Sequence, residues 1–191
     1  MKIIQTLLMT MLAAGMMTAC GNSDQNSIVP DQRETITKFL EANELDYEEV
    51  NGVFRHFGAR GDANAPTVKN GNRVGIYYEL YKAKYTSYKN EDGRPAPLPT
   101  TAIYSNKPFI QDTLYSIGLD PSYWPEGIYN ATVGSGDLIS GLNRGLVGCR
   151  QGDSVLLFIT SDLAFGGKPV ATLYENTPVL YVINIETVNN Q

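Results

Sequence analysis

An α+β domain is the architecture this chain predicts: an antiparallel sheet wrapped over one short helix, with a further helix ahead of it. Three observations carry the prediction. Val74, Ile76, Tyr78 and Leu80 alternate with Arg73, Gly75, Tyr77, Glu79 and Tyr81, and over 179–188 Val179, Tyr181, Ile183 and Ile185 alternate with Leu180, Val182, Asn184 and Glu186. Period two is the signature of a strand with one inward face. Between these runs Leu138, Leu142 and Leu146 recur at four-residue spacing with Ile139 beside them, which is one apolar stripe on a short helix. The resulting order of strand, strand, helix, strand, strand packs a sheet on a helix.

The elements follow in chain order. Residues 1–19 read as a signal peptide: Lys2, an apolar stretch through Leu12 to Met17, then Thr18-Ala19-Cys20. That is a charged start, a short apolar region and a small-residue cleavage site, too short for a spanning helix. Cys20 lies where cleavage ends, so it is the expected lipidation site, and stable anchoring needs more than one acyl chain. Gly21 in place of Asp favours an outer membrane, if the host has one; either membrane makes this a lipid-anchored protein of the cell envelope. Residues 20–30 are polar and predict a flexible tether. Residues 31–50 hold an N-terminal helix, with Asp31 as N-cap, Glu34 three residues on, Ile36, Phe39 and Leu40 on one face, and an end near Asn43. This helix covers the domain's side or serves as an arm for self-association.

The main domain spans 51–191. Residues 52–57 predict a strand and 73–81 the clearest half-buried strand. Two long segments, 85–101 and 112–133, read as irregular, the first rich in proline and the second holding Trp124. Gly152 marks a tight turn, and the β-rich run 153–160 predicts a strand.

Composition narrows the function classes. The chain has 15 basic and 20 acidic residues, and loss of Lys2 with the signal leaves a mature net charge of −6 from 14 basic against 20 acidic. No basic cluster tracks phosphates, which speaks against a nucleic-acid partner. With Cys20 acylated, Cys149 stands alone and reads as a buried, inert thiol. His56 is the sole histidine and has no Cys nearby, so neither a metal site nor a Ser-His pair is expected, and no cofactor is called for. Arg60-Gly61-Asp62 reads as a turn, and the acids of 44–49 as a solvated face.

The run from Gly134 to Glu186, with Leu138-Ile139-x-Gly141-Leu142, Leu163-Ala164-Phe165-Gly166 and Leu173-Tyr174-Glu175-Asn176, resembles the FKBP-type peptidyl-prolyl isomerases. The resemblance extends upstream more weakly, through Tyr78 and Ile103-Tyr104-Ser105-Asn106. It implies an FKBP-like fold, a catalytic set at Tyr78, Ile139 and Phe165, and a substrate-binding set at Ile103, Tyr104, Leu138, Leu142, Leu173 and Tyr181. It also implies proline-containing segments of exported proteins as partners.

Prolyl isomerisation crosses a barrier of about 18–20 kcal/mol and needs no nucleophile, metal or proton transfer. A dry apolar cup that binds the twisted amide better than the planar one is enough, with donors on the flanking carbonyls. The resemblance implies such a donor in the backbone N–H of Ile139. Phe165 replaces the family's Tyr and lacks its hydroxyl, worth about 0.5–1.5 kcal/mol. Tyr104 replaces an Asp and Ile103 a Phe. Leu142 replaces the Trp floor, worth about 1–3 kcal/mol of apolar contact unless Trp124 or Tyr123 folds in. At about 1.4 kcal/mol per tenfold, the total is two to three orders of magnitude in rate. Three functions follow: an envelope prolyl isomerase of weakened activity, a catalytically silent module that holds a peptide or protein in the same cup, and a lipoprotein whose aromatic loops bind a surface ligand such as a glycan.

Overall fold

In the computed structural model, residues 23–83, 98–99, 102–108, 112, 115–116, 126–170 and 172–189 are described. The predicted lipidation site Cys20 lies outside them, as do Tyr123, Trp124 and most of 85–101. The described elements are α1 (Ser23–Ala42), β1 (Glu48–Val50), β2 (Val53–Ala59), β3 (Arg73–Lys82), β4 (Tyr104–Ser105), β5 (Tyr129–Thr132), α2 (Ser140–Leu146), β6 (Ser154–Ile159), a 3₁₀ turn at Ser161–Leu163 and β7 (Val179–Asn189). All pairings are antiparallel, in the order β1-β2-β6-β7-β3-β4, with β5 also on β3. This is the α+β architecture expected from the alternating runs.

The strand period divides the apolar residues between two cores. Val155, Leu157 and Ile159 of β6, with Val179, Tyr181, Ile183 and Ile185 of β7, face Leu138, Leu142 and Leu146. The intervening Phe158 and Leu180 face the other way, onto Ile36, Phe39 and Leu40 of α1. The molecule is therefore three layers, α1 on sheet on α2. A Cβ added at Gly141 would collide with the Ile159 side chain, so the glycine lets α2 lie directly on β6.

Four expectations need correction. The tether over 20–30 is helical from Ser23 onward, and Asp31 is interior to α1 instead of its N-cap: its carbonyl accepts from Thr35 Oγ1 at 2.7 Å. Once the Ile36-Phe39-Leu40 face is docked, each added residue gains a backbone bond, and the helix propagates N-terminally even past Pro30. The N-terminal helix ends at Ala42, close to the expected Asn43, and 48–50 adds β1, an edge strand pairing Glu48 with Arg55 in register. The irregular segment 112–133 closes with a strand, β5. Finally, β3 is not half-exposed along its length. Glu79 and Tyr81 are buried on the α1 side, where the Tyr81 hydroxyl and Lys107 Nζ both bond the Glu79 carboxylate.

Candidate functional site

The nine residues assigned above to catalysis and substrate binding come together in one cluster. Leu138, Leu142, Leu173 and Tyr181 are buried members of the α2-side core, while Tyr78, Ile103, Tyr104, Ile139 and Phe165 pack against it half-buried. The half-buried members mark the rim where this core meets solvent. They arrive from four places: β3, the β4 segment, the entry to α2 and the turn after Ser161–Leu163.

Tyr78 is the centre of the rim. Its ring lies 6.2 Å from Tyr104 and nearly parallel to it, 6.0 Å from Tyr181, and 6.1 Å from Tyr129 in an edge-on arrangement. Such offset and edge-on pairs each add about 0.5–1.5 kcal/mol beyond area burial. Burial, and then the neighbouring phenols, push the Tyr78 hydroxyl well above the ordinary tyrosine range, and Tyr181 is raised by the same causes. Both hydroxyls therefore stay protonated and can only act as neutral hydrogen-bonding groups.

The entry to α2 is set by one side chain. Asn143 reaches back so that its Oδ1 accepts from Gly134 N–H at 2.7 Å, while Nδ2 donates to the carbonyls of Ser135 and Leu138 at 3.1 and 3.0 Å. Its backbone N–H donates to the Ile139 carbonyl at 3.1 Å. Ile139 is thereby held extended (φ −59°, ψ 156°). Its own amide has no hydrogen-bond acceptor among the described residues, so it is available to a carbonyl approaching the rim.

Phe165 and Leu173 sit on the segment linking β6 to β7. Gln32 of α1 secures that segment at both ends: its Oε1 accepts from Ser161 N–H and its Nε2 donates to Asn176 O, each at 2.8 Å. Phe165 offers no hydroxyl here. No acid, base or nucleophile stands among the nine residues; the site can bind, desolvate and orient, and it can offer a backbone donor.

The sequence reading missed Tyr129, which completes the rings around Tyr78. Its signal was present as the alternation Tyr129, Ala131, Val133, inside a segment taken as irregular. It also left Asn106 and Asn143 without roles. Buried Cys149 matches its reading as an inert thiol, with burial pushing it up to about 11. His56 is a strand-surface residue whose Nδ1 lies 2.7 Å from Asp46 O. Gly61 of the Arg-Gly-Asp tripeptide donates its N–H to buried Asp153 at 2.7 Å, which fits a structural turn. A cleft of about 370 Å³ between Asp62, Pro66, Gln151, Asn184 and Glu186 contains none of the predicted site residues.

Residues 119–186 match the family model described as FKBP-type peptidyl-prolyl cis-trans isomerase. Among solved structures, the chain is similar to a peptidyl-prolyl cis-trans isomerase from Pseudomonas syringae pv. tomato. The TM-score is 0.55 at 15% identity, covering 89% of this chain and 99% of that one. It is also similar to the three FKBP domains of wheat FKBP73, with a TM-score of 0.54 at 13% identity, covering 77% of this chain and 52% of that one. No curated protein matches. The chain thus shares its fold with these solved structures, and its residues 119–186 are similar to the FKBP-type peptidyl-prolyl cis-trans isomerase family.

Proposed function

We propose that the protein is a prolyl isomerase of weakened activity, acting on proline-containing segments of exported proteins in the cell envelope, and held to a membrane by lipid on Cys20. The observation that supports it best is the Tyr78 rim itself: a proline ring placed on Tyr78 is flanked by Tyr104, Tyr129 and Tyr181, and Ile139 packs against the same core. Apolar walls favour the twisted amide, whose charge separation is lost, over the planar one, and the Ile139 N–H fixes a neighbouring carbonyl as the bond rotates. Reduced rate follows from Phe165, Leu142 and Tyr104, which remove a hydroxyl, a floor and a carboxylate.

Those same three residues favour a second reading, a silent module that holds a peptide on the rim without turning it over. A protease-free isomerisation assay on the soluble chain from Gly21 separates the two, with Ile139→Asp as the disabled control. Acceleration that vanishes in the control supports the isomerase; a folded sample that binds the peptide without accelerating it supports the module. Envelope anchoring is tested separately by labelling cells with a radioactive fatty acid. Label that disappears with Cys20→Ser supports the anchor, and label that persists rejects it.

A further inference from the structure

The outer edge of β3 is shared by two short strands that do not meet. β5 pairs with Arg73 through Ile76, and β4 with Glu79 and Leu80, which leaves Tyr77 and Tyr78 without a strand partner on that side. Alternate residues of an antiparallel strand turn both backbone groups to the same edge. Tyr78, the centre of the aromatic rim, turns its N–H and C=O into this gap.

One residue fills it. Asn106 is 1% exposed. Its Oδ1 accepts from Tyr78 N–H at 2.7 Å, and its Nδ2 donates to Ile76 O at 2.9 Å and to Gly127 O at 2.8 Å. Its backbone N–H donates to Tyr78 O at 3.3 Å, and its carbonyl accepts from Gly127 N–H at 3.2 Å. Ser105 Oγ adds a bond to Tyr78 O at 3.1 Å. Both amide hydrogens and the amide oxygen are thus engaged, on the strand that carries Tyr78, two residues from Tyr104 in sequence, and on Gly127 at the start of the segment that becomes β5 and carries Tyr129.

We propose that Asn106 is the positioning residue of the site, a side chain that replaces a missing stretch of strand and sets Tyr78, Tyr104 and Tyr129 against one another. As a statement about peptide binding, this rests on the proposed function of the rim. Asp offers no donor at neutral pH and would set a carboxylate oxygen against the Ile76 and Gly127 carbonyls; Leu, of similar shape, would leave all three backbone partners unpaired.

The test compares Asn106→Asp with Asp153→Ala, which removes a buried side chain bonded to Gly61 and Arg150 and lining the separate cleft. Each folded variant is followed by the ¹⁵N resonance of the Tyr78 amide, by near-UV circular dichroism of the tyrosines, by affinity for a Leu-Pro tetrapeptide, and by kcat and KM. Asn106→Asp is expected to shift the amide, flatten the tyrosine signal and weaken peptide binding by about tenfold or more. Partial recovery is expected below a pH of about 5, where protonation restores a donor. Asp153→Ala is expected to lower Tm while leaving the tyrosine signal and peptide affinity within about twofold. An Asn106→Asp protein with unchanged ring signature and affinity overturns the proposal, as does equal weakening by Asp153→Ala. Where Asn106→Asp does not fold, Asn106→Gln moves the same amide by one methylene and is read in the same way. A wild-type protein without turnover sinks the isomerase reading alone, because the ring signature and the Tyr78 amide still decide the role of Asn106.

Discussion

Phe165 is the residue at which the proposed chemistry is most easily strengthened. Restoring a hydroxyl by Phe165→Tyr adds one hydrogen bond worth about 0.5–1.5 kcal/mol if it tightens as the amide twists. The expected outcome is a rise of about two- to tenfold in kcat/KM for a Leu-Pro peptide, and an unchanged rate would count against Phe165 facing the substrate. Arg55 is a different case, since its role is structural. Only 6% exposed, it donates Nη1 to the carbonyls of Gly145 and Val147 at 2.7 and 2.8 Å, while Nε and Nη2 engage Glu48. A guanidinium on the last carbonyls of α2 satisfies groups that the helix itself cannot. Arg55→Met keeps the apolar stem and leaves those carbonyls bare, with an expected loss of about 3 kcal/mol by urea titration. Neither role was legible one residue at a time: the Phe165 motif was, but Arg55 in a strand reads as a surface charge until α2 is docked above it.

At the scale of elements, α1 lies outside the residues 119–186 that match the family model and yet is part of the packing. Leu40 is fully buried in the second core with Phe39, Phe158 and Leu180. Leu40→Ala is expected to cost about 2–5 kcal/mol. Denaturant unfolding monitored at Tyr78 and at α1 should then show one common transition if the two cores are cooperative, and two if α1 is only an appendage. Gln32 ties α1 to the segment bearing Phe165 and Leu173 through Ser161 and Asn176, so the helix also braces the rim. Its apolar face was readable from Ile36, Phe39 and Leu40. Its start was not, because the Asp31-to-Glu34 pattern resembles a cap and only docking against the sheet carries the helix back to Ser23. β5 escaped for a related reason: four residues of strand make sense only beside β3.

For the whole molecule, the buried titratable groups predict instability in alkali. Burial raises Cys149 from 9.0 to about 11, and it raises the Tyr78 and Tyr181 phenols above 10.0. A folded-state pKa above the unfolded value stabilises the protein fully below the unfolded pKa, and that contribution is lost as pH climbs through the folded one. Tm is therefore expected to hold below pH 9.0, to fall as Cys149 passes from 9.0 toward about 11, and to fall further as the phenols ionise. Cys149→Ala should remove the first part of the decline, and a flat profile to pH 11 would refute the account. By itself the sequence determined the fold class, the alternating faces of β3 and β7 and the glycine-bounded helix. These are local or periodic properties, written in the spacing of apolar residues and glycines. Only the tertiary structure decided the second core under α1, the burial of Glu79 beside Lys107, the arrival of Tyr129 at the rim and the use of Asn106 as a substitute strand. Each of these depends on which backbone groups and side chains are left without partners once distant segments pack, and no spacing along one segment encodes that.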